Sequence, residues 1–304
     1  MPSTSTSRTD VYEAITQQII TAIEAGAGNG HVQLPWHRSG ASITRPVNIA
    51  SSNAYRGVNT IALWAAADAN GYEQGIWGTY RQWQERGAQV RKGEKSSLIV
   101  FYKQFDRDDD SGNAEGGDEA DHQRRFMARA SHVFNAAQVD GYTPDAATPA
   151  PAPIDPIAEA DRVIAATGAT IRIGGERAYY APSSDHIAMP SQERFAGTTT
   201  SSATEGWYST LLHELTHWSG HDSRLARQFG QRFGDDAYAM EELVAELGAA
   251  FLCGDLGITL EPRPDHAVYI GHWLRVLKGD RKAIFTAASA ANKAAEYIQG
   301  FTES

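Results

Sequence analysis

The segment His213-Glu214-Leu215-Thr216-His217 places two histidines four residues apart, with an acid directly after the first. Apolar residues precede it at the helical period, which predicts a buried helix. Residues four apart project from one face of a helix, so both imidazoles can bind one divalent ion. Glu214 is then placed to hydrogen-bond a metal-bound water and take its proton. The spacing predicts His213 and His217 as ligands of Zn²⁺, or of another divalent ion such as Mn²⁺, and Glu214 as the general base.

A third ligand is predicted on the next long helix, where Glu241, Glu242 and Glu246 stand among apolar residues. Buried carboxylates need a partner. Glu242 and Glu246 are one turn apart, so one can bind the metal while the other accepts the N–H of a ligating histidine. We favour Glu242 as the ligand, with exchange of the two roles as the alternative, and expect Glu241 to be solvated. This order resembles the two-helix pattern of gluzincins.

The metzincin pattern is excluded as a competing interpretation. Gly220 fits the glycine of that pattern, but its last ligand position is occupied by Ser223. His221 follows the helix end, where a surface or capping role is favoured over a contact with metal or substrate. Several further side chains could stabilise an oxyanion, and the sequence does not choose among them: Tyr238, His266, Tyr269 and His272.

These residues lie in a C-terminal region in which apolar residues recur with the period of a helix. Helices are predicted over residues 157–166, 204–220, 237–253, 266–277 and 282–298. Strands are predicted over residues 170–173, 178–181 and 186–189. A Pro/Ala-rich stretch precedes this region and is typical of a linker. We therefore expect three parts: a domain over residues 1–142, a linker over 143–156 and a metallopeptidase-like domain over 157–304.

The composition is that of a globular protein of 304 residues with a net charge of −10. Cys253 is the single cysteine, which excludes an internal disulfide. The N-terminus does not have the pattern of a secretory signal, and no apolar run reaches the roughly 18 residues of a membrane span. A soluble, cytoplasmic protein without a membrane partner is the expectation.

The charge is unevenly distributed, because residues 38–103 carry nine Lys or Arg against four acids. Aromatic residues alternate with these bases. Single-stranded nucleic acid is bound by such a combination, since unpaired bases stack on rings and cations neutralise phosphates. Strands are predicted at residues 97–102 and 129–134, and the acidic segment 106–121 between them is predicted to be a mobile hairpin tip. The first domain is expected to be a mixed α/β unit that binds single-stranded DNA.

Longer motifs carry a resemblance to a known family. In the first domain they are Arg45-Pro46-x-Asn48, Tyr55-Arg56-Gly57-Val58-Asn59, Trp77-x-Thr79-Tyr80-x-Gln82-Trp83, the run from Gly87 to Lys95, and Val133-Phe134-Asn135-Ala136-x-Gln138. In the second domain they are the run from His213 to His221 and the run from Glu241 to Glu246. In this order they resemble the ArdC antirestriction proteins of plasmids, whose N-terminal domain is shared with some conjugative primases.

The resemblance implies an α+β protein with two domains, one that binds single-stranded DNA and one that is gluzincin-like. It implies protection of incoming plasmid DNA from host restriction during conjugation. The resemblance does not identify a peptide substrate, and a host restriction-related protein is kept as the candidate. The predicted DNA-binding residues are Arg45, Asn48, Tyr55, Arg56, Asn59, Tyr80, Trp83, Arg91, Lys92, Lys95 and Lys103. Two alternatives are a DNA-binding protein whose metal domain is structural, and a metallopeptidase that acts on a host protein without binding DNA.

Overall fold

A computed structural model describes residues 10–27, 33–38, 44–105, 125–143, 155–228, 236–260 and 266–302. The acidic segment 106–121 and most of the predicted linker lie outside the described residues. The architecture is α+β, as predicted. Within the described ranges, no helix combines the length and the hydropathy that a membrane span requires.

The N-terminal part contains three helices and a mixed sheet. The helices are α1 (Val11–Ala27), α2 (Val58–Asn70) and α3 (Tyr80–Glu85); the strands are β1 (Val47–Asn48), β2 (Ile76–Gly78), β3 (Gln89–Val90), β4 (Ser97–Phe105), β5 (Arg125–Asn135) and β6 (Val139–Asp140). Four strands form one sheet in the order β1-β2-β5-β4, and β3 pairs with β6. The β4–β5 hairpin confirms the two predicted strands and extends both of them.

The C-terminal part begins with α4 (Pro156–Ala166), which Asp155 caps through its side chain. A three-stranded sheet follows in the order β7-β9-β8, made of β7 (Thr170–Ile173), β8 (Tyr179–Ala181) and β9 (His186–Met189). Four long helices complete it: α5 (Ala203–Ser219), α6 (Asp236–Leu256), α7 (His266–Gly279) and α8 (Ala283–Gly300). All were predicted, with ends that differ by a few residues.

Helices α5 and α6 approach each other closely at Gly248. A Cβ atom added to this glycine would lie 2.5 Å from Cγ2 of Thr216, which is less than a carbon–carbon contact allows. Thr216 is fully buried and lies between the two predicted histidine ligands on α5. Absence of a side chain at position 248 therefore sets the distance between the two helices that carry the metal-binding residues.

One apolar cluster joins the N-terminal helices to the C-terminal ones. The rings of Tyr12 in α1 and Phe285 in α8 meet edge to face, with centroids 4.7 Å apart. The ring of Trp64 in α2 packs against Phe251 in α6, with centroids 6.0 Å apart. The two parts thus share a core in addition to the chain that connects them.

Candidate metal centre and DNA-binding face

His213, His217 and Glu242 bring one ligand atom each within 4.8 Å of one another. The Nε2 atom of His213 lies 3.7 Å from Oε2 of Glu242, and that of His217 lies 3.6 Å from Oε1 of the same carboxylate. All three side chains are buried. The two imidazoles and the carboxylate therefore converge on a single position between α5 and α6.

The outer nitrogen of each imidazole faces a second acid of α6. Nδ1 of His217 lies 3.1 Å from Oε1 of Glu241, and Nδ1 of His213 lies 3.5 Å from Oε2 of Glu246. A carboxylate at Nδ1 keeps the proton on that nitrogen and leaves the Nε2 lone pair available for a metal ion. Glu246 therefore lies beside the outer nitrogen of His213, and Glu242 lies beside both Nε2 atoms.

The prediction that Glu241 is solvated is wrong. Its side chain is only 6% exposed, and it accepts hydrogen bonds from Nε of Arg227 at 3.0 Å and from Nη2 at 2.8 Å. Burial alone would raise the pKa of Glu241, but the hydrogen bonds from His217 and Arg227 outweigh burial and lower the pKa. Glu241 is therefore a buried, ionised partner of His217.

Two other predicted side chains accompany the ligands. Glu214 is buried on α5, next to His213. Tyr238 forms a hydrogen bond with Glu242, and its hydroxyl lies 3.3 Å from that of Tyr269. Burial and these neighbours raise the pKa of Tyr238, so its hydroxyl stays protonated. His221 follows α5, and its Nδ1 lies 2.8 Å from the hydroxyl of Ser223.

The chemistry of this donor set fits a divalent ion. Two imidazoles and one carboxylate are the protein ligands of many catalytic zinc centres, which keep a fourth position for water or substrate. Within the described part of the chain the cluster contains three ligands, so it fits that class better than a closed structural site.

The predicted DNA-binding residues fall into two groups, and those of the first group are buried or partly buried. Arg45, Tyr55 and Trp83 are each less than 9% exposed. Asn48 donates to the Tyr55 hydroxyl, and Asn59 donates to the backbone carbonyl of Val100. All five side chains make contacts within the fold, and Tyr55 and Asn59 also line the open groove described below.

The second group is exposed. Arg56 has 75% of its side chain accessible, Tyr80 is 44% exposed, and Arg91, Lys92 and Lys95 also lie on the surface. Lys103 belongs to β4, but its side chain lies outside the described residues.

An open groove of about 630 Å³ lies between the N-terminal part and α8. Arg56 lines it together with Phe101 and Lys293, and Phe101 is 51% exposed. Arg129 stands directly opposite Phe101 on the neighbouring strand, so it lies on the same face of the sheet. The groove combines an exposed ring with cations from both parts of the chain, and it also contains Glu296, which lies 3.0 Å from the Arg56 guanidinium.

Arg227 and Lys293 were not predicted as parts of these sites, and neither was His37, which contacts Glu246. Each lies in a segment without a metal-binding or nucleotide-binding motif. Their proximity to the sites depends on long-range packing, and no local signal in the sequence could have shown it.

An HExxH helix followed by a helix that supplies an acid defines a zincin-like centre, and a zincin-like metallopeptidase family model matches residues 158–290. The model for the N-terminal domain of the anti-restriction factor ArdC matches residues 9–134. The chain belongs to the ArdC antirestriction family.

Solved structures support this assignment. The metal-free crystal structure of antirestriction protein ArdC from plasmid R388 aligns with a TM-score of 0.75 at 39% identity, covering 97% of this chain and 98% of that one. The Mn(II)-bound structure aligns with a TM-score of 0.72 at 38% identity, covering 96% and 98%. With the donor set described above, the Mn(II)-bound relative supports a divalent ion such as Zn²⁺ or Mn²⁺ as the cofactor.

Two sequence relatives match nearly the whole chain. The y4eC protein of Sinorhizobium fredii is 52% identical over 292 residues, which are 95% of this chain and 92% of that protein. DNA primase TraC of Escherichia coli is 35% identical over 306 residues. The match spans 96% of this chain but only 27% of the primase.

Proposed function

We propose that this protein binds single-stranded DNA and protects incoming plasmid DNA from host restriction during conjugation, and that its metal centre is catalytic. Membership of the ArdC family supports the antirestriction role. The observation that carries DNA binding is the exposed ring of Phe101 beside Arg56 and Lys293 in an open groove. An unpaired base can stack on this ring while the two cations hold the neighbouring phosphates.

For the metal centre, the proposal assigns His213, His217 and Glu242 as ligands and Glu214 as the general base. A divalent ion bound there would act as a Lewis acid toward a scissile peptide carbonyl. Glu214 accepts a proton from the attacking water and passes it to the leaving amine. The Tyr238 hydroxyl holds the Glu242 carboxylate in place.

The test of DNA binding is a titration of labelled single-stranded oligonucleotide with the wild type and with Phe101→Ala. Stacking on a ring contributes about 1–3 kcal/mol per base, so we expect about 5-fold to 100-fold weaker binding. Tyr179→Ala is the matched control, because this ring is 49% exposed on β8, outside the groove. Equal affinities of Phe101→Ala and Tyr179→Ala would contradict DNA binding in the groove. If the wild type and both variants fail to bind the oligonucleotide, a peptidase that does not bind DNA is favoured.

The test of catalysis is Glu214→Gln, which keeps the shape of the side chain and removes its basicity. We expect bound metal and oligonucleotide affinity to be retained while plasmid protection in a restricting recipient is lost. Glu176→Gln, at an acid whose side chain is 80% exposed, is the control. Full protection by a metal-loaded Glu214→Gln protein would instead favour a structural metal domain.

A further inference from the structure

Residues 33–38, between α1 and α2, lie against helix α6 at the metal centre. Trp36 and His37 are buried, at 0% and 3% exposure. The indole nitrogen of Trp36 donates to Oε1 of Glu246 at 3.2 Å, and Nε2 of His37 lies 2.9 Å from the same oxygen. A segment of the N-terminal domain therefore contacts the acid that lies beside Nδ1 of His213.

The direction of the His37 bond follows from its other ring nitrogen. The backbone N–H of Leu34 donates to Nδ1 of His37 at 3.0 Å, so Nδ1 carries a lone pair. In a neutral imidazole the proton is then on Nε2, which donates to Glu246. Oε1 of Glu246 thus receives two N–H donors from a segment more than two hundred residues earlier in the chain.

The second oxygen of Glu246 faces the metal centre, because Oε2 lies 3.5 Å from Nδ1 of His213. The carboxylate is 1% exposed, so water does not compete for it. With Oε1 held by two donors, rotation of the carboxylate away from His213 would break both bonds. The N-terminal segment thereby fixes the orientation of Glu246, and Glu246 fixes that of His213.

We propose that Trp36 and His37 are positioning residues of the metal centre, acting through Glu246 on His213. This inference rests on the proposed metal centre but not on DNA binding or peptidase activity. Residues that hold the ligating histidines from outside typically change metal affinity 10-fold to 100-fold when they are removed. The N-terminal domain would therefore complete the metal site of the C-terminal domain.

The experiment measures Mn²⁺ affinity by electron paramagnetic resonance, and the absorption spectrum of the Co²⁺-loaded protein. We expect His37→Ala to weaken Mn²⁺ binding about 10-fold to 100-fold and to alter the Co²⁺ bands. His37→Gln places an amide donor near the position of Nε2 and should restore affinity to within about 3-fold. Trp36→Phe keeps an aromatic ring without its donor and should lower affinity in the same direction.

His186→Ala is the matched control, because this buried histidine of β9 contacts Ser184 and lies outside the cluster. It should leave Mn²⁺ affinity unchanged within about 2-fold, as expected for a site without a contact to the ligands. In a Glu246→Gln background, His37→Ala should add little, because the two residues act as one unit.

Wild-type affinity in folded His37→Ala and Trp36→Phe proteins would overturn the proposal. If His37→Ala fails to fold, the comparison of His37→Gln, Trp36→Phe and the wild type still decides it. A wild type that binds neither Mn²⁺ nor Co²⁺ would instead refute the metal centre itself. This result can be distinguished from failure of the positioning role, because the wild type and all variants would then lack metal binding alike.

Discussion

Oε1 of Glu241 lies 3.1 Å from Nδ1 of His217, and the same carboxylate is bound by the guanidinium of Arg227. Arg227 also donates to the backbone carbonyl of Thr216 on α5. A single cation therefore connects the loop after α5 with both helices of the metal centre. Together with the hydrogen bond from His217, it lowers the pKa of Glu241 despite burial.

Arg227→Ala should destabilise the protein and weaken metal binding. Removal of one partner of a buried ion pair costs about 3–5 kcal/mol of unfolding free energy, because the other charge stays buried. Arg227→Lys should recover only part of this, since an ammonium cannot form the two parallel bonds. Urea denaturation and Mn²⁺ titration measure the two effects. Wild-type stability in Arg227→Ala would contradict the role of this pair.

Glu242→Gln and Glu246→Gln should separate the metal ligand from the orienting acid. Loss of the ligand should abolish stoichiometric metal, whereas loss of the orienting acid should lower affinity only about 10-fold to 100-fold. Elemental analysis after dialysis, followed by competition with a chelator, distinguishes these results. The reverse order of effects would assign the ligand to Glu246.

Gly248→Ala should be destabilising, although alanine is the better helix former. The added methyl meets Thr216 at 2.5 Å, and overpacking of a core costs about 1–3 kcal/mol. Gly271→Ala in α7 is the control, because its Cβ would meet nothing within 4 Å. There the gain in helix propensity should stabilise by up to about 1 kcal/mol. If the denaturation midpoints of Gly248→Ala and Gly271→Ala shift in the same direction, the close approach of α5 and α6 at Gly248 is contradicted.

Arg45→Ala should reduce stability without a direct effect on DNA affinity. Arg45 bonds to Asp255 at 2.7 Å, lies over the ring of Phe251 and is buried. We expect a loss of about 3–5 kcal/mol, as for other broken buried ion pairs. Arg56→Ala should show the opposite profile, with little change in stability and weaker oligonucleotide binding. Weaker oligonucleotide binding by folded Arg45→Ala protein would instead support a direct role of Arg45 in DNA binding.

Asp185 gives the protein a pH dependence below pH 4. The hydrogen bond from Arg224 is the main cause that lowers the pKa of Asp185 to about 2, despite partial burial. A carboxylate with a lowered folded-state pKa contributes stability above its unfolded value, and this contribution disappears as the pH falls toward 2. Because 41% of the side chain is accessible, we expect only about 1 kcal/mol. In thermal unfolding, Asp185→Asn should differ from the wild type at pH 5 and converge with it near pH 2.

The features of this protein that could be predicted from its sequence are those defined by residues close to one another in the chain. The His213–His217 pair is readable because a helix converts a separation of four residues into one face. The strands of the β4–β5 hairpin are readable from their β-branched and aromatic residues. In both cases the residues that define the feature are neighbours in the chain.

The rest depends on partners that are distant in sequence. Arg45 and Arg56 both belong to a basic, aromatic stretch, yet one is buried against α6 and the other is exposed beside α8. The position of Glu241 on its helix predicts exposure. The side chain is buried because Arg227, a residue of the loop before α6, binds its carboxylate. Whether a ring such as Trp83 packs or stacks is likewise decided by the whole fold.

The shared core of α1 and α2 with α6, α7 and α8 has a consequence for any attempt to divide the protein. Separating the fragments on either side of residues 143–156 would expose Ile15 and Ile19 on one fragment, and Phe251 and Ile284 on the other, to water. Each fragment produced alone would expose a large apolar patch and tend to aggregate. Mixed together, the two fragments should reassemble into a nicked, soluble complex.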